Sequence, residues 1–130
     1  MEISTSAFAD GDSVPVRFTC EGEDVSPALS WSGVPEGAAD LRLSVTDPDA
    51  PSGSFTHWLV TGIDTGASGV DEGAVPMGGS EQRNGFGDPR YGGPCPPPGR
   101  GAHRYVFSIE ALDAAGNVLD SAEFIARFGR

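Results

Sequence analysis

Residues 41–63 read LRLSVTDPDAPSGSFTHWLVTGI and predict two strands joined by a proline-containing turn. Apolar and polar residues alternate from Leu41 to Asp47, which predicts a strand whose buried face ends in a carboxylate. Two prolines then break the strand, because proline cannot donate a hydrogen bond to a sheet and restricts the residue before it. Residues 55–63 resume as a strand that is apolar on both faces, which is typical of a central position. The alternation divides its side chains into Phe55, His57, Leu59 and Ile63 on one face and Trp58 and Val60 on the other.

Shorter runs on both sides extend the all-β pattern. Further strands are predicted at residues 14–19, 29–31, 103–112 and 118–128. Pro15 makes the first of these an edge strand, and the last run also fits a short helix, although we favour the strand. Residues 66–101 are rich in Gly, Pro and Asp and form one long loop, which is typical of a functional segment. The sequence therefore predicts one domain over residues 1–130, an all-β, two-sheet antiparallel β-sandwich with little helix.

Composition limits the classes of partner. The chain has 130 residues and a formal net charge of -11, from 19 acidic and 8 basic residues, and every basic residue is arginine. Nucleic acids and anionic membranes attract positively charged proteins, so neither is an expected partner. An acidic surface without lysine also suits a salt-rich cytoplasm, where screening removes most of the self-repulsion. We therefore expect adaptation to salt.

The N-terminus and the cysteines indicate a compartment. No basic segment followed by an apolar run opens the chain, and no stretch is long enough to span a bilayer, which predicts a cytoplasmic protein. Cys20 and Cys95 lie far apart in sequence and form no Cys-x-x-Cys motif. The expectation for such a pair in the cytoplasm is two free thiols.

Polar side chains occupy positions where three strands should point inward. Asp47 ends one apolar face, His57 interrupts a second, and His103 and Tyr105 begin a third. Each lies at a strand end next to a Pro/Gly loop. Taken singly, each has an ordinary structural explanation as a turn former or a core residue. Since burying several such groups is costly unless they are hydrogen-bonded or face a ligand, their convergence predicts a binding pocket.

Four motifs in sequence order resemble the phosphatidylethanolamine-binding protein family, and more closely its prokaryotic branch, the Raf kinase inhibitor-like proteins. The motifs are Asp47-Pro48-Asp49-Ala50-Pro51, Phe55-Thr56-His57-Trp58, Tyr91-Gly92-Gly93-Pro94-Cys95-Pro96-Pro97 and His103-Arg104-Tyr105-Val106-Phe107. The resemblance extends from Ser6 to Leu112. It implies a β-sandwich with a pocket for phosphate, acetate or a phosphoethanolamine headgroup.

The resemblance also implies individual site residues. The ligand-binding set is Asp47, Asp49, His57, Gly93, Pro94, His103 and Tyr105, with residues 93–97 as a rim. It further implies a cis peptide bond between Ala50 and Pro51. One departure concerns the C-terminal part, which is shortened: family members usually carry a helix after the strand that corresponds to residues 103–112. Ligand gating by that helix is therefore not carried over.

Chemistry suggests a role for each group. His57, His103 and Tyr105 can donate hydrogen bonds to phosphate oxygens. Asp47 and Asp49 would repel a bare anion, so we assign them to orienting and charging the histidines or to meeting a headgroup amine. We expect a binding protein with no cofactor, no metal and no enzymatic activity. The resemblance adds a protein partner such as a kinase or a protease, and it is compatible with a homodimer.

Three alternatives remain open at this level. A hydrolase could use His57, His103 and Asp47 with Ser52 or Ser54, although nothing resembles a nucleophile elbow. A metal site could combine the histidines, an aspartate and Cys95, although no short-spaced ligand pair is present. A protein-interaction module could use the loop at residues 91–101, whose prolines otherwise read as a rigid pocket rim.

Overall fold

The computed structural model describes all residues 1–130 as two antiparallel sheets, which confirms the predicted sandwich. The strands are β1 Glu2–Ser4, β2 Leu29–Ser32, β3 Asp40–Asp47, β4 Phe55–Ile63, β5 Gly69–Val70, β6 Ser80–Glu81, β7 His103–Leu112 and β8 Val118–Phe128. The large sheet has the order β6-β4-β3-β7-β8 and the small sheet the order β1-β2-β5. One short 3-10 helix, Val16–Phe18, is the only helical element, and no helix is long and apolar enough to cross a membrane.

The core lies between the sheets and follows the predicted alternation in β3 and β7. Leu41, Leu43 and Val45 are fully buried, and their neighbours in sequence are only half-buried. Strand β7 pairs with β3 and buries its alternate residues in the same way, beginning with His103 and Tyr105. The polar ends of these two faces therefore lie side by side at one end of the large sheet.

Strand β4 departs from simple alternation. Val45 of β3 pairs with Trp58, but the next residue, Thr46, pairs with Thr56, so His57 is an extra residue in a β-bulge. His57 and Trp58 are consequently both buried. The prediction that they occupy opposite faces is wrong, because the inserted residue resets the alternation, and the bulge turns His57 inward.

The segment at residues 14–19 is not the predicted edge strand. Pro15 has no N–H to give to a ladder, and its carbonyl instead accepts from Phe18 to close the 3-10 turn Val16–Phe18. Only Val14 is held against the sheet, through its N–H to the Arg127 carbonyl. The final run, Val118–Phe128, is the predicted strand, and no C-terminal helix follows β7.

Two local predictions are wrong. Cys20 and Cys95 form a disulfide rather than two free thiols. The long loop returns to the 3-10 turn, where the Cys20 N–H donates to the Pro94 carbonyl. The number of residues between two cysteines does not show that they are close in the fold. No peptide bond is cis, so the bond before Pro51 takes the intrinsically preferred trans form, and a hydrogen bond from Gly53 N to the Ala50 carbonyl closes the turn.

Candidate functional site

A cavity of about 170 Å³ opens at the end of the large sheet where β3 ends and β7 begins. Four of the seven residues predicted for the site line it: Asp47, His57, His103 and Tyr105. The rest of the wall is Ala50, Pro51, Phe55, Phe86, Cys95, Pro96 and Pro97. The cavity wall is thus largely apolar and carries four polar side chains, which is the usual composition of a small-ligand site.

His103 and Asp47 form a buried pair on the two neighbouring strands. Nδ1 of His103 lies 2.7 Å from Oδ2 of Asp47, and the side chains are only 10% and 5% exposed. The other oxygen of Asp47 accepts the backbone N–H of Asp49 at 2.8 Å. A carboxylate only accepts, so Nδ1 of His103 carries the proton and the tautomer is fixed. Nε2 of the ring has no partner within the protein.

His57 is held by the loop rather than by a carboxylate. Its Nδ1 donates to the Gly92 carbonyl at 2.7 Å, while the Gly92 N–H donates back to the His57 carbonyl at 2.9 Å. Burial lowers the pKa of His57 below its usual value, against the raising effects of the Gly92 carbonyl and the Asp47 charge. His57 is therefore neutral at neutral pH and, like His103, leaves Nε2 without a protein partner.

Tyr105 contributes a hydroxyl group that has no hydrogen-bond partner in the protein. Its oxygen is the only buried side-chain nitrogen or oxygen atom in the chain without a hydrogen-bond partner, and the residue is fully buried. Its ring packs edge-on against His57 with centroids 5.3 Å apart. Burial, and then the charge of Asp47, raise the pKa of the Tyr105 hydroxyl well above its usual value. Since buried polar groups are nearly always paired, this hydroxyl marks a position for a ligand atom.

Three predicted site residues lie outside the cavity wall. Asp49 accepts hydrogen bonds from the backbone N–H and the guanidinium of Arg104 at 2.8 to 3.0 Å, and these bonds hold the pKa of its carboxyl well below its usual range. The N–H of Gly93 donates to Oδ1 of Asp24 at 2.7 Å, and a Cβ on Gly93 would collide with the Phe18 carbonyl. Pro94 accepts the Cys20 N–H. These residues anchor the surrounding loops.

The sequence did not single out Phe86, which closes the cavity from the loop. Its ring packs against Phe55 at 4.9 Å and against His57 at 5.7 Å, although half of the side chain is exposed. Glycine makes the room: a Cβ on Gly85 would meet the Phe55 ring, and a Cβ on Gly92 would lie 2.7 Å from the Phe86 ring. The sequence feature that could have identified Phe86 is its position between two glycines in Asn84-Gly85-Phe86-Gly87.

The geometry also bears on the alternative chemistries. Ser52 and Ser54 do not line the cavity, and Cys95 is tied to Cys20, so neither a serine hydroxyl nor a free thiol lines the cavity beside the histidines. No group of three or more His, Cys, Asp or Glu side chains is arranged to hold a metal ion. A larger cavity of about 480 Å³ beside β5 has Asp71 as its only ionisable lining residue. Of these two cavities, only the smaller one is lined by histidines.

Comparison with known proteins places the chain among relatives. The family model for phosphatidylethanolamine-binding proteins matches residues 4–128. LppC of Mycobacterium tuberculosis, whose name marks it as a candidate lipoprotein, is 46% identical over 115 residues, which are 88% of this chain and 57% of LppC. A UPF0098 protein of Methanothermobacter thermautotrophicus is 45% identical over 118 residues, covering 87% of this chain and 77% of that protein. The chain thus spans little more than half the length of LppC.

Solved structures agree with the sequence matches. YbcL of Escherichia coli, described as a member of the mammalian PEBP family, is similar with a TM-score of 0.93 at 28% identity, over 99% of this chain and 98% of YbcL. CT736 of Chlamydia trachomatis, described as a candidate PEBP homologue, gives a TM-score of 0.90 at 30% identity, over 99% of this chain and 97% of CT736. Sequence and fold agree on the assignment: this chain belongs to the phosphatidylethanolamine-binding protein family.

Proposed function

We propose that this protein binds a small oxyanion, either free phosphate or a phosphate-bearing headgroup such as phosphoethanolamine, in the cavity at the end of the large sheet. The observation that carries the proposal is the convergence of two imidazole edges and one unpaired hydroxyl in a single cavity. Its volume of about 170 Å³ is below the roughly 300–1,000 Å³ of sites for drug-sized molecules, which favours a small ligand.

Electrostatics favour weak rather than tight binding. The chain carries a net charge of -11, and Arg104, which follows His103 in sequence, is already paired with Asp49. The positive group beside the wall is Arg130, whose Nε donates to the Pro96 carbonyl at 2.7 Å. With few charged donors to replace its hydration, an anion gains little beyond the contacts of the imidazoles and the hydroxyl.

Titration of the histidines tests the proposal. Adding phosphate, phosphoethanolamine or acetate should shift the ring resonances of His57 and His103 with one saturating curve. Asp47→Ala removes the acceptor that orients His103, so it should weaken phosphate binding by about tenfold or more, equivalent to about 1.4 kcal/mol. Asp120→Ala is the matched control, because it removes a carboxylate at the far end of the β7–β8 pair. Absence of any shift in either histidine would contradict the proposal.

A protein partner such as a kinase or a protease remains a second candidate. It is favoured by the exposure of residues 97–102 and of the Phe86 ring at the mouth of the cavity, which together offer an accessible rim. The proposed function does not include catalysis, and the expectation that the protein is not an enzyme stays a prediction. Adaptation to salt and a cytoplasmic location stay predictions, and the disulfide weighs against a reducing compartment.

A further inference from the structure

The hydrogen bonds around the cavity fix what its polar groups offer to a ligand. Nδ1 of His57 is committed as a donor to the Gly92 carbonyl, and Nδ1 of His103 is committed as a donor to Asp47. In a neutral imidazole the second nitrogen is then an acceptor. With both rings neutral, both Nε2 atoms present lone pairs, and the Tyr105 hydroxyl is the one neutral donor among the polar groups that line the cavity.

This arrangement suits some oxyanions and not others. Sulfate and acetate carry no proton at neutral pH and consist of acceptors only, so their oxygens would face two further lone pairs. Phosphate retains at least one proton under the same conditions, and a phosphate hydroxyl can donate to an imidazole nitrogen. When two acceptors face each other with no donor between them, both are removed from water and left unpaired, which disfavours binding.

We infer that the cavity selects oxyanions that bring their own proton, with the Nε2 atoms of His57 and His103 accepting from the ligand and Tyr105 donating to it. The inference rests on the proposed function and narrows its ligand class to hydrogen phosphate and ligands with a comparable donor. The lowered pKa of His57 is consistent with this, because a ring that stays neutral keeps its acceptor. The rings are not required to take up protons when the ligand binds.

Phosphate and sulfate form a matched pair of probes. At about pH 8 both ions are tetrahedral dianions, and they differ in that phosphate carries one proton and sulfate none. Calorimetry with each should give binding of phosphate at least about tenfold tighter than binding of sulfate, equivalent to about 1.4 kcal/mol. Acetate should rank with sulfate. Long-range nitrogen–proton spectra should show both rings as Nδ1-protonated neutral tautomers before and after phosphate is added.

His103→Gln provides the second variant. The side-chain amide of glutamine can turn an N–H₂ donor toward the ligand, so the preference for phosphate over sulfate should shrink even if overall affinity falls. Equal binding of phosphate and sulfate to the wild type, or protonation of a ring on binding, would overturn the inference and leave the proposed function standing. If neither ion binds, the proposed function fails, and the inference fails with it.

Discussion

The two walls of the cavity are built in different ways. One wall consists of Asp47, His103 and Tyr105, which stand on the paired strands β3 and β7 and face inward by simple alternation. The other wall combines His57, which lies in the β4 bulge and is fixed by the Gly92 carbonyl, with Phe86 and Cys95 of the long loop. Strand pairing positions the backbone of the first wall. The second depends on a disulfide, a bulge and glycines that leave room for rings.

Removing the disulfide should have the largest effect and should act on the loop wall. The bond joins residues 75 positions apart, and in the chain-entropy model a cross-link of that span stabilises the fold by about 4 to 5 kcal/mol. The double variant Cys20→Ser, Cys95→Ser should therefore unfold at a clearly lower urea concentration, and its loop should lose protection from hydrogen exchange before β3 and β7 do. The wild type in excess dithiol serves as the control and should match the variant. An unchanged unfolding midpoint would show that the disulfide does not support the loop wall.

The pH dependence of stability separates the walls further. Because the folded-state pKa of His57 is lowered, the unfolded chain takes up a proton more readily as the pH falls through the ordinary value of 6.5. The free energy of unfolding should therefore fall below that pH, by about 1.4 kcal/mol for each unit by which the pKa is lowered, and level off below the folded pKa. Comparison with His57→Gln, which does not titrate, isolates this contribution. A ring that titrates above 6.5 in the folded protein would contradict the account.

The strand wall could be predicted from the sequence, because alternation with a period of two assigns each residue of a strand to a face. Asp47, His103 and Tyr105 were identified in this way, as was the full extent of β7. The inward position of His57 was predicted in the same way, but its assignment to the face opposite Trp58 was wrong, because one inserted residue shifts the alternation and a bulge leaves no mark on the hydrophobic pattern. For Val118–Phe128 the pattern of apolar residues fits both a strand and a short helix, so the strand was favoured only weakly.

The loop wall could not be predicted, since it depends on contacts between distant residues. Sequence separation carries no information on whether Cys20 and Cys95 meet. The positions of Gly85 and Gly92 become meaningful only when the rings of Phe55 and Phe86 are seen beside them. The family resemblance supplied the residues of the rim but not their roles. It placed Asp49 and Gly93 among the ligand-binding residues, whereas the structure uses both to anchor loops.

Asp49→Asn should have the smallest effect, although Asp49 lies only two residues from Asp47. Its pair with Arg104 is largely open to solvent, where water and salt screen the interaction, so stability at neutral pH should fall only slightly. The pKa of Asp49 is held well below its usual range, so its contribution is present above about pH 4, the unfolded value, and disappears as the pH falls through the folded pKa. The difference between variant and wild type in urea unfolding should therefore shrink in acid, and phosphate affinity should change by less than about twofold. Loss of phosphate binding in this variant would mean that Asp49 contacts the ligand. The distinction between the buried Asp47–His103 pair, which forms the site, and the exposed Asp49–Arg104 pair, which anchors a neighbouring loop, would then be wrong.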